Sequence, residues 1–245
     1  MIRSARPHSN RYLLKLSGEI LAGDAGQGLR PDTLRKLASS VVSLHQKSCE
    51  IGIVVGGGNF VRGRDLTSVE SVTADQMGML ATLMNSLALR DAIEAEGAHA
   101  AVFSAFPVPG IVDIFNPRKA SALLSTGTVL IYGGGTGNPG LTTDTAAALR
   151  AVQTGCSVLL KGTKVDGIYD SDPVVHSDAK RLPSLSYDDV LRLGLRVMDA
   201  AAVAICRDAA LPIRVFDIRN PANIARVIDD PSIGSIVSGG GRTDD

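Results

Sequence analysis

The chain reads as an α/β protein, a three-layer α/β/α sandwich with a mainly parallel central sheet. Three observations predict this. Short apolar runs rich in β-branched residues recur along the sequence, helix-period stretches lie between them, and three runs end directly in glycine-rich turns. Strands alternating with helices build parallel βαβ units. Near-continuous apolar strands suit a sheet covered on both faces.

The elements follow in order. Tyr12-Leu13-Leu14 is the first strand run and leads into Lys15-Leu16-Ser17-Gly18-Glu19. Thr33 to Gln46 carries Leu34, Leu37, Val41 and Leu44 on one face, which predicts a helix. Ile51 to Val55 is a strand ending in Gly56-Gly57-Gly58-Asn59. Met77 to Ala95 reads as a long, mostly apolar helix. Thr73 and Gln76 form a capping box that places Asp75 in a helix's first turn. An aspartate there also answers the helix dipole. Ala100 to Phe103 and Val129 to Tyr132 are strands, the second ending in Gly133-Gly134-Gly135-Thr136-Gly137-Asn138-Pro139. Asp144 to Thr154, Tyr187 to Leu193 and Val197 to Ala209 read as helices; Val158 to Lys161, Ile213 to Phe216 and Ile233 to Val237 read as strands. One domain is expected over residues 11–238, between flexible tails at 1–10 and 239–245.

Composition narrows the function. The 245 residues carry 25 Lys and Arg against 25 Asp and Glu. A nucleic-acid binder usually has a basic excess, so nucleic acid is not an expected partner. No run approaches the roughly 18 apolar residues of a membrane span, and no membrane association is expected. The polar, basic N-terminus has no apolar stretch of the secretory kind. Cys49, Cys156 and Cys206 are odd in number, widely spaced and free of any CxxC pattern. They read as reduced core thiols, which suits a cytoplasmic location. His8, His45, His99 and His176 have no metal-ligand spacing.

The glycine loops carry the chemistry. A strand that ends in a Gly-rich turn exposes backbone N–H groups, and a following helix adds partial positive charge. In an open parallel sheet, ligands sit beyond the carboxyl ends of the strands, where all three loops fall. One such loop alone is as readily a tight βα turn; three favour phosphate. There is no G-x-x-x-x-G-K-[ST] loop. Residues 135–140 match G-x-G-x-x-G, but the acidic ribose ligand of a dinucleotide site, about 20 residues on, would fall near Leu160-Lys161.

Lys15 ends an apolar strand, where a buried ammonium needs a partner that a phosphate oxygen would supply. Lys161 ends a later strand in the same position. Each also has a plain reading as a partly exposed structural lysine. Arg62, just past the second loop, could fork two phosphate oxygens. Asp144, after Thr142 and Thr143, reads as an N-cap or as a working carboxylate, and Asp199 has the same two readings. Lysines and carboxylates together form the set that phosphoryl transfer uses for positioning and charge neutralisation.

Lys15-Leu-Ser-Gly-Glu19, Gly56-Gly-Gly-Asn59 with Arg62-Gly63, Asp75-Gln-Met-Gly-Met-Leu-Ala-Thr82, Thr136-Gly-Asn-Pro139 with Thr142-Thr-Asp144, and Lys161-Gly-Thr-Lys-Val-Asp-Gly-Ile-Tyr169 with Asp172-Pro173 together resemble the bacterial UMP kinases of the amino acid kinase superfamily. The resemblance runs from about Arg11 to Val237 and implies the amino acid kinase fold and phosphoryl transfer from ATP to UMP, with Mg²⁺ carried mainly by ATP. It assigns Lys15, Leu16, Ser17, Gly18, Gly58 and Arg62 to the ATP phosphates and the transferred group, and Thr163, Tyr169 and Asp172 to adenosine. Gly57, Asp75, Thr136, Gly137, Asn138, Pro139, Gly140, Leu141, Thr142 and Thr143 would hold UMP, with Asp75 on the ribose hydroxyls. Lys15, Arg62, Asp144, Lys161 and Asp199 form the implied catalytic set.

The resemblance further implies a homohexamer with GTP as activator and UTP as inhibitor. Gly23, Asp24, Ala25, Gly26, Gln27 and Gly28, with Arg90, resemble parts of the GTP site; residues 23–28 read equally as a flexible surface loop. Ala101 and Thr128 stand where other members have arginine, and Gly140-Leu141 where relatives carry bulky aromatics. A carboxylate or carbamate kinase would lack the Asp75 and Thr136 motifs. A non-catalytic storage or regulatory relative should have lost Lys15, Arg62, Asp144 and Asp199.

Overall fold

The computed structural model describes residues 7–61, 68–195 and 197–239. Eleven strands are described: β1 (Arg11–Leu16), β2 (Glu50–Val55), β3 (Ala100–Ser104), β4 (Asp113–Ile114), β5 (Val129–Gly133), β6 (Val158–Thr163), β7 (Ile168–Tyr169), β8 (Arg181–Leu182), β9 (Ser184–Ser186), β10 (Ile213–Asp217) and β11 (Ser235–Ser238). The helices are α1 (Pro31–His45), α2 (Ser71–Ala95), α3 (Pro117–Ser125), α4 (Thr143–Thr154), α5 (Tyr187–Arg192), α6 (Ala200–Asp208) and α7 (Asn223–Arg226), with a 3-10 segment at Gly18–Ala25.

Nine strands form one sheet in the order β4-β3-β5-β2-β1-β6-β10-β11-β9. Neighbours run parallel except β10 and β11. β7 and β8 make a separate antiparallel hairpin. The chain starts in the middle of the sheet, builds one side with β2 to β5, and returns across β1 to build the other from β6. That reversal point is where open α/β sheets bind ligands.

Period-2 alternation sends successive side chains to opposite faces. Leu14 and Leu16 join the layer under α1, α2 and α7, while Leu13 and Leu159 join the layer under α3 to α6. Both layers are built from fully buried aliphatics, which supply most of the driving force for folding. At the amino end of β1 the buried Arg11 guanidinium donates to Glu50 Oε2 at 2.5 Å, Ser121 Oγ at 2.7 Å and Ser125 Oγ at 3.0 Å, and also to the Thr154 carbonyl. A buried guanidinium costs little only when its donors are taken up in this way.

Several sequence expectations shift. α2 begins at Ser71, six residues before Met77, and the Thr73–Gln76 capping box does not form. Glu70 occupies the N-cap position, and the Thr73 hydroxyl donates to Glu70 Oε2 instead. Asp75 therefore lies in the helix's second turn. α6 starts at Ala200, because Asp199 caps it. The last strand is Ser235–Ser238; Gly234, at φ 82°, turns the chain into it, a left-handed conformation that glycine adopts freely. α3, α7 and the strands β4, β7, β8 and β9 have no counterpart in the sequence reading; the strands run two or three residues, too short for periodicity to register. Residues 8–10 contact the domain: the His8 N–H donates to the Gly155 carbonyl.

Candidate active site

Strand register builds the charged centre. Lys15 on β1 and Lys161 on β6 are direct partners across the parallel pair. Lys15 follows Leu13, and Lys161 follows Leu159, by two residues, so both face the α4 layer. Helix α4 starts above them. Thr142 is its N-cap, with its hydroxyl accepting the Asp144 N–H at 2.9 Å. Asp144 is thus a first-turn residue rather than the cap, and its side chain meets both lysines. Lys15 Nζ lies 2.8 Å from Asp144 Oδ1, and Lys161 Nζ donates to Oδ1 and Oδ2 at 2.5 and 2.6 Å.

The three side chains are 7%, 15% and 14% exposed. Burial pushes the Asp144 carboxyl up, but Lys15 and then Lys161 outweigh it and hold it below the usual carboxylate range. For Lys161, burial and the neighbouring Lys15 charge prevail over Asp144, and its ammonium is brought down to about 8. Two cations share Asp144, with Asp199 a weaker influence on Lys161, and the N-terminus of α4 beside them favours anions.

The glycine loops gather at the same end. A Cβ on Gly57 would stand 2.7 Å from the Gly78 carbonyl and 2.9 Å from Ala81 Cβ, so only glycine lets this loop lie against α2. Asn59 and Asn85 hold the second loop with a reciprocal amide pair at 3.0 and 2.7 Å. Asn85 also donates to the Gly56 carbonyl, and Asn59 to the Gly28 carbonyl, both at 2.7 Å. Asn85 is fully buried, and sequence reasoning missed it. Its signal was an amide four residues from both Ala81 and Leu89 on an apolar helix face. Thr82 was missed too: its hydroxyl accepts the Gly134 N–H at 2.8 Å.

Two clefts flank the centre. One, of about 350 Å³, is lined by Gly57, Asp75, Asn138, Gly140, Leu141, Thr142 and Thr143 together with α2 residues. Within it Asp75 Oδ2 accepts the Gly140 N–H at 2.7 Å. Thr136, Gly137 and Pro139 shape the loop without lining the cleft; Gly137 packs near Ala105. The other, of about 430 Å³, is lined by Thr163, Tyr169, Asp172 and residues 193–195 and 197. The Tyr169 hydroxyl donates to Asp166 Oδ1 at 2.6 Å, and Asp172 Oδ1 accepts the Val174 N–H.

Other expected residues are placed as follows. The Leu16 side chain is fully buried in the core, and its carbonyl accepts the Gly56 N–H. Ser17 caps the 3-10 segment, Gly18 packs on Gly56 and Asn59, and Gly58 lies beside Glu19. Asp199 caps α6 through the Ala202 N–H at 2.8 Å and accepts the Thr142 and Thr145 hydroxyls at 2.5 and 2.8 Å, tying α4 to α6. Arg62 lies outside the described residues. Residues 23–27 are exposed, with Gly28 anchored on Asn59. Arg90 pairs with Asp91 and lines a separate groove near β3 with Ala101. Among the described residues no group of three His, Cys, Asp or Glu has metal-binding geometry.

A nine-stranded sandwich with a lysine–aspartate–lysine centre beneath glycine loops defines a phosphotransferase class, and the chain belongs to the amino acid kinase family, whose model matches residues 10–217. Its relatives narrow the class to uridylate kinases. It is 48% identical over 229 residues to uridylate kinase from Legionella pneumophila (strain Corby), covering 93% of each chain. It is 46% identical over 231 residues to uridylate kinase from Xanthomonas campestris pv. campestris (strain ATCC 33913), covering 94% of this chain and 96% of that one. The structure superposes on UMP kinase from Bacillus anthracis with a TM-score of 0.90 at 33% identity, covering 95% of this chain and 97% of the other.

Proposed function

We propose that this chain transfers the terminal phosphoryl group of ATP to UMP, yielding ADP and UDP. The observation that carries this reading is the Lys15–Asp144–Lys161 centre between two clefts. Thr143, next to Asp144, lines the smaller cleft, and Thr163, two residues past Lys161, lines the larger. UMP is assigned to the first and ATP to the second.

The acceptor is a phosphate oxygen, already largely ionised near neutral pH, so no strong base is needed. Asp144 is ill suited to that role, since its carboxyl is held below the usual range. It aligns two ammoniums instead. The obstacle is repulsion between two polyanions. Lys15, Lys161, Arg62 and the loop N–H groups offset it and stabilise charge on the group in transit. Mg²⁺ would be held mainly by the ATP phosphates and would supply further charge neutralisation when bound. Asp199 positions the Thr142 cap, and through it Asp144.

A homohexamer, GTP activation and UTP inhibition belong to the same proposal. Leu80 and Met84 form an exposed apolar stripe on α2 that supports self-association. A cytoplasmic location is supported by three free, buried thiols. No helix among the described residues is long and apolar enough to cross a membrane. A coupled ADP-release assay with Mg-ATP tests the reading, with UMP beside CMP, dUMP, aspartate, glutamate and carbamate. Turnover with UMP is expected; none with UMP, in folded protein that binds ATP, overturns it.

A further inference from the structure

Glu19 and Lys164 form an ion pair at 2.7 Å that bridges the turn after β1 and the turn after β6. Its position is informative. Thr163 and Val165, on either side of Lys164, both line the larger cleft. Glu19 lies at the other end of the bridge, beside the second glycine loop. A Cβ built on Gly58 would stand 3.8 Å from Glu19 Cγ and 3.9 Å from Oε1. The pair therefore links a loop of the cleft wall to the second glycine loop. ATP in that cleft with its phosphates toward Lys15 would bring them to the two turns that the pair joins, because β1 and β6 end side by side.

We propose that Lys164 is a phosphate-binding residue of the donor site, held by Glu19 and handed over when the triphosphate chain of a nucleotide arrives. The inference rests on assigning ATP to the larger cleft. A carboxylate over a loop whose N–H groups and neighbouring lysines favour anions has the wrong sign for a donor ligand. Incoming phosphate repels Glu19 and attracts Lys164. The Lys164 side chain is 69% exposed and free to swing, whereas that of Glu19 is 27% exposed. Exposed ion pairs hold weakly, and ammonium–phosphate contacts are stronger, so the exchange runs downhill. Thr163 fixes the turn: its hydroxyl donates to the Val165 carbonyl at 2.7 Å and keeps Lys164 on the cleft rim.

The test is a double-mutant cycle on the intact protein: wild type, Glu19→Gln, Lys164→Ala and both together. Isothermal titration measures Mg-ATP, inorganic tripolyphosphate and adenosine. Glu19→Gln is expected to tighten ATP and tripolyphosphate about threefold to tenfold, and Lys164→Ala to weaken them about tenfold. The double variant should bind no tighter than Lys164→Ala, and adenosine should bind all four alike. A Glu19→Gln protein that binds phosphate no tighter overturns the proposal. So does a gain that persists without Lys164, or adenosine affinity that moves in step with ATP. Wild type that fails to bind ATP removes the donor-site assignment and the proposal with it. Normal ATP binding with a flat cycle removes Lys164 alone.

Discussion

Asp144→Asn separates the two jobs of the central carboxylate. The substitution preserves shape and removes the charge that two buried ammoniums share. Removing one partner of a buried pair usually costs about 3–5 kcal/mol. Here one lysine can relieve the strain by losing its proton. Lys161 titrates near 8, so at pH 7 its charged state is favoured by only about 1.4 kcal/mol. That figure caps its share of the loss, and the remainder falls on Lys15. A destabilisation of about 2–3 kcal/mol at pH 7 follows. The pH dependence has a definite sign. A lysine whose folded pKa is lowered binds fewer protons folded than unfolded between about 8 and its ordinary 10.5. Its contribution to stability therefore rises with pH across that window. Asp144 raises the Lys161 pKa, so in Asp144→Asn it falls below 8 and the same gain starts at lower pH; the wild-type advantage should shrink between pH 7 and pH 9.5, with most of the change below about 8. Urea unfolding at both values measures it. Misaligned lysines should lower kcat by about 10²–10³-fold, as loss of a preorganised charge contact does. A variant within about 0.5 kcal/mol of wild type at pH 7, a difference ordinary for neutral surface changes, refutes the stability claim. Unchanged kcat refutes the alignment role.

Lys15→Ala should lower kcat by about 10²–10³-fold while UMP binding largely survives; steady-state kinetics with a separate UMP titration checks this, and unchanged kcat removes Lys15 from the catalytic set. Asn85→Ala leaves the Gly56 carbonyl and the Asn59 amide short of partners and should cost about 2–3 kcal/mol in urea unfolding. It should also raise KM for ATP more than it lowers kcat; wild-type stability would show the amide pair to be idle. ATP binding places anions beside Lys161, whose pKa in this structure is about 8, and should raise it. Calorimetry in buffers of different ionisation enthalpy should show uptake of up to about three-quarters of a proton at pH 8.5 and little at pH 6.5, because the unliganded lysine is mostly neutral only above its pKa. Equal uptake at both pH values would assign the proton to another group.

Much of this arrangement was legible in the chain. Lys15 and Lys161 stood out because a lysine ending an apolar strand needs a partner, and the alternation of Leu13 with Lys15 fixed the face it uses. That Asp144 serves the lysines was implied by the family resemblance, while the residues by themselves left it open as a cap or a working carboxylate. The contact depends on the long α4 crossover passing over β2 and β1, which no local pattern encodes. The Thr73–Gln76 box failed for a related reason. Local capping chemistry was present, but α2 extends back to Ser71. Asn85 was hidden within an apolar helix, and Glu19 and Lys164 are 145 residues apart in sequence. Contacts of that separation belong to topology. Arg62, read as a phosphate ligand from its place after the second loop, lies outside the described residues.

The opposition of Lys15 and Lys161 across two strands makes the protein's tolerance of insertions and deletions discrete. One residue added within β1 or β6 turns the lysine to the other side of the sheet, among the aliphatics beneath α1 and α2. Two residues restore the side but shift the lysine along the strand by roughly 6.6 Å, beyond reach of Asp144. The loop at 134–142 has no such quantum, since extra length there can bulge into solvent while Thr142 still caps α4. Over evolutionary time the loop at 134–142 is therefore free to change length and the strands beneath it are not, so the cleft it borders can be reshaped above a charged centre whose spacing stays fixed.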